Sequence, residues 1–135
     1  MELPVLLLAD YANIAQGGKL NVMGIFSQIY AAGFPARHPA MQLVMHLSVS
    51  PAEYNTTRKL TVKLLDEDGK ALLNWTEDIP IPEQEPGRRL QIGQILQLND
   101  IVFPHPGTYQ FSVLVDLDEK GTYPLYVLPI EAAKE

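Results

Sequence analysis

The stretch Phe103-Pro104-His105-Pro106-Gly107-Thr108-Tyr109-Gln110-Phe111-Ser112-Val113-Leu114-Val115-Asp116 constrains the fold more than any other part of the chain. Pro104, Pro106 and Gly107 break helix and ladder alike, because proline lacks an amide proton and glycine takes backbone angles closed to other residues. Immediately afterwards Tyr109, Phe111, Val113 and Val115 alternate with Gln110, Ser112 and Leu114, the period of a strand with one buried face. A rigid corner feeding such a strand requires a second layer against which Tyr109, Phe111, Val113 and Val115 can bury.

The remaining segments follow the same pattern. Residues 3 to 9 form a continuous apolar run of strand length, ending where Asp10-Tyr11-Ala12-Asn13 leaves the sheet. The turn Gln16-Gly17-Gly18-Lys19 leads into a second strand from Leu20 to Tyr30, kinked at Gly24 with a switch of inward face. Residues 31 to 39, with Pro35 and Pro39, read as a loop crossing between sheets. Leu43, Met45, Leu47 and Val49 face a core with His46 and Ser48 outward, and Ser50 to Asn55 loops with a short turn. Leu60, Val62 and Leu64 share another inward face, followed by the Asp66-Glu67-Asp68-Gly69 hairpin and a return strand through Trp75. Glu77 to Gly87 is a proline-rich acidic loop. Leu90, Ile92, Leu96 and Leu98 are in phase, Asp118 to Gly121 turns the chain after the corner strand, and Tyr123, Leu125 and Val127 complete a final strand. About eight strands at roughly ten-residue spacing indicate an all-β antiparallel sandwich, with one domain over residues 1–130 and a polar tail at 131–135.

A chain of 135 residues buries roughly two-thirds of its unfolded surface and needs no staple. The absence of cysteine removes disulfides, thiolate catalysis and thiolate metal sites. The net charge of −6 repels phosphate backbones, and Arg58-Lys59 and Arg88-Arg89 are the only basic pairs, so no nucleic-acid partner is expected. No apolar run approaches the ~20 residues needed to cross a bilayer, so no membrane association is expected. The acidic start, Met1-Glu2, with no basic segment before the apolar run, reads as a strand rather than a secretory leader, and a cytoplasmic location follows as an expectation.

Pro106-Gly107-Thr108-Tyr109-Gln110-Phe111 resembles the tyrosine corner of immunoglobulin-like sandwiches, in which a tyrosine at the start of a strand hydrogen-bonds to backbone just upstream. The resemblance implies an immunoglobulin-like sandwich, with Pro106 and Gly107 setting the turn, Tyr109 tying it, and Phe111 where antibody domains keep a cysteine. A wider resemblance is carried by Ala9-Asp10-Tyr11-Ala12-Asn13, Gly18-Lys19-Leu20-Asn21-Val22-Met23-Gly24-Ile25-Phe26, Phe34-Pro35 with His38-Pro39, and Phe103 to Tyr109. Together these resemble an uncharacterised family of small bacterial proteins, a domain of unknown function, which implies a compact β-sandwich and no assigned activity.

Candidate sites are sparse. His38, His46 and His105 match no metal-ligand spacing, and no nucleophile elbow, zinc-protease motif or phosphate loop occurs, so no catalytic residue, metal or cofactor is assigned. Asp66 and Asp68 in one hairpin turn and Asp116, Asp118 and Glu119 in another would suit calcium if the two tips met, although aspartate serves such turns in any case. Asp10, Asn13, Asn21 and Ser27 offer polar groups near a glycine turn. Tyr11, Asn13, Tyr54, Trp75 and Tyr126 are the candidate ligand or partner contacts, being aromatic or polar positions outside the clear inward phase. Val44, Leu65, Ile95, Leu114 and Leu128 lie on the opposite strand faces and demand cover by a crossing loop or another chain. The reading that follows is a non-enzymatic module for protein contact or self-association, with a small-ligand or carbohydrate-binding sandwich as the alternative.

Overall fold

In the computed structural model, which describes residues 1–83 and 89–130, the alternating segments pair into two sheets around one core. The strands among the described residues are β1 (Glu2–Ile14), β2 (Leu20–Ile25), β3 (Gln28–Ala31), β4 (Ala36–Val49), β5 (Thr57–Leu65), β6 (Ala71–Pro80), β7 (Leu90–Phe103), β8 (Gly107–Val115) and β9 (Asp118–Pro129). One sheet has the order β2-β1-β4-β7 and the other β3-β9-β8-β5-β6. The fold is therefore the expected β-sandwich, with nine strands rather than about eight and with β3 parallel to β9 where all pairs were expected antiparallel. The polar tail at 131–135 lies outside the described residues, as do Glu85, Pro86 and Gly87 of the acidic loop.

The inward faces are those the alternation marks. Leu43, Met45 and Leu47 of β4, Leu60, Val62 and Leu64 of β5, and Phe111, Val113 and Val115 of β8 belong to one buried cluster, joined by Leu125 and Val127 of β9. Gly121 contributes by what it lacks: a β-carbon there would lie 2.9 Å from Leu3 Cδ2, so β1 can lean onto β9 across the core.

The corner forms as the tyrosine motif predicts. Tyr109 is fully buried, its hydroxyl donates to the His105 carbonyl at 2.6 Å, and its ring meets Phe103 edge-on with centroids 5.0 Å apart. At Gly107 a β-carbon would sit 2.6 Å from Glu67 Oε1, and the space it leaves lets that carboxylate accept from Thr108 N at 2.7 Å.

Several boundaries differ from the sequence reading. The strand expected from Leu20 to Tyr30 is two strands in different sheets: pairing with β1 continues past Gly24, which has φ +71°, to Ile25 opposite Ala9, and the chain changes sheets at Phe26 and Ser27. The loop expected over 31–39 is shorter, because β4 begins at Ala36 and takes in His38 and Pro39. Pro39 is accommodated because the β4–β7 register passes from His38↔Ile101 to Ala40↔Asn99, leaving it outside the ladder opposite Asp100, which has φ +53°. β6 runs on to Pro80, which an edge strand tolerates at its end. The turn placed at Asp118–Gly121 lies earlier, at Asp116 and Leu117: Asp116 takes φ +56°, and Val115 pairs with Asp118.

Val44 is fully buried although its neighbours Leu43 and Met45 face the core, so its side of the sheet must be covered. The cover comes from the chain itself. At Ala9 the pairing of β1 passes from β4 to β2, and the β1–β2 hairpin lies over the outer face of the four-stranded sheet. A β-carbon on Gly93 of β7 would lie 3.2 Å from Leu20 Cδ2 and 3.3 Å from Ile14 Cδ1, and the hairpin residues Gly17, Leu20 and Val22 share a hollow with Val5, His46 and Gln91.

Replacement of Tyr109 by Phe removes the corner hydrogen bond and leaves the His105 carbonyl unpaired, and should lower stability by about 1–2 kcal/mol. Urea denaturation should show a lower midpoint with an unchanged slope; an unchanged midpoint would mean that the bond ties nothing.

Candidate functional site

Where β1 hands its pairing from β4 to β2, Asp10 stands opposite Gly24. A β-carbon at position 24 would lie 2.5 Å from Asp10 Oδ2, so only glycine lets the carboxylate rest there, and the positive φ of Gly24 is one that glycine adopts without strain. The chain then crosses between sheets at Phe26 and Ser27. Three hydrogen bonds fix the crossing: Phe26 N to the Leu8 carbonyl at 3.0 Å, Tyr123 hydroxyl to the Phe26 carbonyl at 2.7 Å, and Tyr126 N to the Ser27 carbonyl at 2.8 Å.

β3 follows at the edge of the second sheet, and its alternation sends Ile29 into the core and Gln28 and Tyr30 outward. The Tyr30 hydroxyl donates to Gln28 Oε1 at 2.9 Å. From the start of β4, His38 brings its ring to 5.9 Å from that of Phe26, and its Nε2 is buried without a hydrogen-bond partner. Asp10, Gly24, Ile25, Phe26, Gln28 and His38, with Ile29 and Tyr30, enclose an open cleft of about 440 Å³. It combines a carboxylate, an unpaired imidazole nitrogen and an amide with two aromatic rings and two isoleucines.

The residues singled out from sequence do not gather in this cleft. Tyr11 is 51% exposed on the outer face of the hairpin, opposite Met23, and Asn13 accepts from Asn21 Nδ2 at 3.0 Å on the same hairpin. Tyr126 is exposed on β9 beside Gln28. Tyr54 closes the single 3-10 turn Pro51–Glu53, half-buried, with its hydroxyl unpaired. Trp75 lies on edge strand β6 opposite Val62, half-buried against the core rather than offered to solvent. Pro106, Gly107, Tyr109 and Phe111 are the structural corner. Asp10 was visible as a polar group near a glycine turn, and Gly24 as a kink; Gln28, Tyr30 and His38 carried no signal that would join them.

The two acidic turns do not meet. β5 and β8 are antiparallel neighbours, so the Asp66–Gly69 turn lies at the end of β5 beside Thr108, while Asp116 lies at its start beside Lys59. The three histidines are equally dispersed, one in the cleft, one in the hollow under the hairpin and one at the corner. No group of three or more histidine, aspartate or glutamate side chains is placed to hold a metal ion among the described residues.

Asp116 instead belongs to an ionic chain. Its carboxylate accepts from Lys59 N at 3.2 Å and from Arg58 at 3.0 Å, and these bonds hold it below the usual carboxylate range. Arg58 Nε also approaches Glu53 at 3.6 Å. Burial opposes ionisation of Glu53, but its bonds from the Met1 ammonium at 2.7 Å and from Ser50 outweigh that, and its pKa too is lowered.

The fold and cleft define a β-sandwich module with one polar-aromatic cleft at the point where the chain changes sheets. The chain matches DUF6941, a family of unknown function, over residues 4–128, and belongs to it. No curated protein is similar enough to the chain to count as a match. No helix among the described residues is long and apolar enough to cross a membrane.

Two outcomes follow. The depressed pKa of Asp116 contributes stability that is present above the carboxylate's unfolded value, near 4, and is lost as the pH falls through the lower folded value. Asp116→Asn should therefore lower the melting temperature at pH 7 and narrow its drop between pH 5 and pH 2; parallel curves for both proteins would contradict the linkage. Gly24→Ala should cost more than about 1 kcal/mol, from the positive φ and the contact with Asp10 together. Adding Asp10→Ala should recover only the contact part in thermal melts, and full recovery would mean that the backbone angle costs nothing.

Proposed function

We propose that this protein is a non-enzymatic interaction module that binds a protein partner, or a second copy of itself, through the outer face of the β1–β2 hairpin. The observation that carries this reading is the exposure of Tyr11, Met23 and Ile25 at 51%, 66% and 59% on one side of a hairpin whose other side is already used to cover the sheet. Tyr11 and Met23 are direct cross-strand partners and Ile25 is paired with Ala9, so the three form a contiguous apolar stripe, flanked by Asn13 and Asn21. Aromatic and methionine side chains of this kind are enriched at recognition surfaces.

An immunoglobulin-like relationship supports an interaction role by analogy of fold alone. In that family strands B and E pair in one sheet, and C, F and G adjoin in the other. Here β4 and β7 adjoin in one sheet and β5, β8 and β9 in the other, and the tyrosine corner falls at the start of β8. A cytoplasmic, bacterial setting is part of the proposal, in keeping with a cysteine-free, acidic chain.

The test is a comparison of the natural chain with the Tyr11→Ser/Met23→Ser double variant, both checked for the same fold by circular dichroism. Light scattering at tens of micromolar and affinity purification from the native host should show association that the double variant loses. If both proteins remain monomeric and retain identical companions, the hairpin face is not the interface.

The small-ligand reading is favoured by a separate observation, the cleft with its unpaired His38 Nε2. It draws nothing from Trp75, which packs against the core.

A further inference from the structure

We infer that the cleft accepts an organic cation, a primary ammonium or guanidinium on an apolar stem, with Asp10 as its counter-charge. The inference rests on the small-ligand reading and specifies its chemistry. Asp10 presents a carboxylate that can only accept hydrogen bonds, held beside Gly24 by the space that the missing β-carbon leaves. His38 lines the same cleft, and its Nε2, buried and unpaired, is an acceptor in the Nδ1-protonated tautomer. Gln28 Oε1 is already engaged by the Tyr30 hydroxyl, which fixes both side chains on the rim.

No lysine or arginine lines the cleft. An anion would therefore meet Asp10 with no lysine or arginine to offset it, whereas a cation would find the carboxylate together with the aromatic side chains of Phe26 and Tyr30 among the lining residues. Ile25, exposed at the cleft, supplies apolar surface that a methylene stem or ring would cover. A divalent metal is a poorer match, because the cleft holds one carboxylate and one imidazole among its lining residues where such ions take more ligands. The cation's source is a free amine or an arginine or lysine side chain of a protein, and both present the same head group.

The test is titration of the full chain with agmatine and with an acetyl-Gly-Arg-Gly-amide peptide, followed by the amide resonances of Gly24, Ile25, Phe26, Gln28 and Ile29. Saturable shifts confined to these residues are expected, and the tighter of the two probes identifies the source. The neutral isostere acetyl-citrulline amide, and Asp10→Asn with agmatine, should each bind at least about tenfold more weakly. Tyr30→Ala, an exposed edge-strand change, should weaken binding in a background whose fold is not in question. Equal binding of the citrulline probe, an unaffected Asp10→Asn variant, or no saturable shift at millimolar concentration would overturn the inference. Glucose or galactose shifting the same resonances while agmatine does not would also overturn it, and would leave the small-ligand reading standing with a different ligand.

Discussion

Burial of both faces of β4 is the constraint from which much of this structure follows. Leu43, Met45, Leu47 and Val49 fill the core between the sheets, and Val44 between them is equally inaccessible on the other side. A strand that buries Val44 and Ser48 on the face opposite its core residues must be covered twice. The second cover is the β1–β2 hairpin, which leaves the plane of the sheet at Ala9 and brings Leu20, Ile14 and Val22 over Gly93, His46 and their neighbours. The departure places Asp10 at a bend and Gly24 opposite it. The return of the chain to the other sheet at Phe26 then supplies the remaining wall of the cleft. Site and cover thus come from the same structural necessity, which is why the cleft lies where the chain changes sheets rather than on the loops at either end of the sandwich.

The hairpin also explains why an apolar surface persists. A two-stranded ribbon that covers a sheet has its own second face, and nothing else in the described residues reaches over it. Tyr11, Met23 and Ile25 occupy that face, where polar residues would have served solubility as well. A hairpin needs alternation on only one side to act as a cover, so the apolar character of the other side is not demanded by the fold. The carboxylate of Asp10 is of the same kind: no core contact or turn geometry requires it, and Gly24 is shaped around it.

The sequence made the architecture legible because period-two alternation and turn residues are local properties. The inward phase of β4, β5 and β8, the corner at Tyr109 and the kink at Gly24 can all be read from neighbouring residues. What local reading does not carry is the consequence of a kink. Gly24 reads as a bulge within one strand, and whether the chain resumes in the same sheet or the opposite one depends on pairing with β9, which lies nearly a hundred residues away in the chain. His38 reads as a loop residue because Pro35 and Pro39 flank it. Strand β4 absorbs Pro39 through an irregularity whose other half, Asp100, also lies far off in sequence. The cleft joins Asp10, Gly24, Gln28 and His38 only through these long-range pairings, so its residues give no shared signal in the chain. Tyr54 and Trp75, by contrast, gave the aromatic signal expected of contact residues and proved to be half-buried packing at the ends and edge of the sheets.

Two chemical features set the cleft apart from an incidental depression between strands. The first is an unpaired imidazole nitrogen: burying His38 Nε2 without a partner forgoes hydrogen bonding that water would supply, a loss on the order of 1–3 kcal/mol. The second is that Gly24 leaves open the space occupied by the Asp10 carboxylate, in a strand where a side chain would have added burial. Either feature by itself is compatible with ordinary folding compromise. Their convergence on one recess, lined by Phe26 and Tyr30 and with no lysine or arginine among its described lining residues, sets a sign of charge for whatever fills it. The overall charge of −6 acts in the same direction at longer range, drawing cations rather than anions towards the surface. Recognition by this protein is therefore best sought on the hairpin side of the sandwich, where one structural departure creates both the exposed apolar stripe and the acidic cleft.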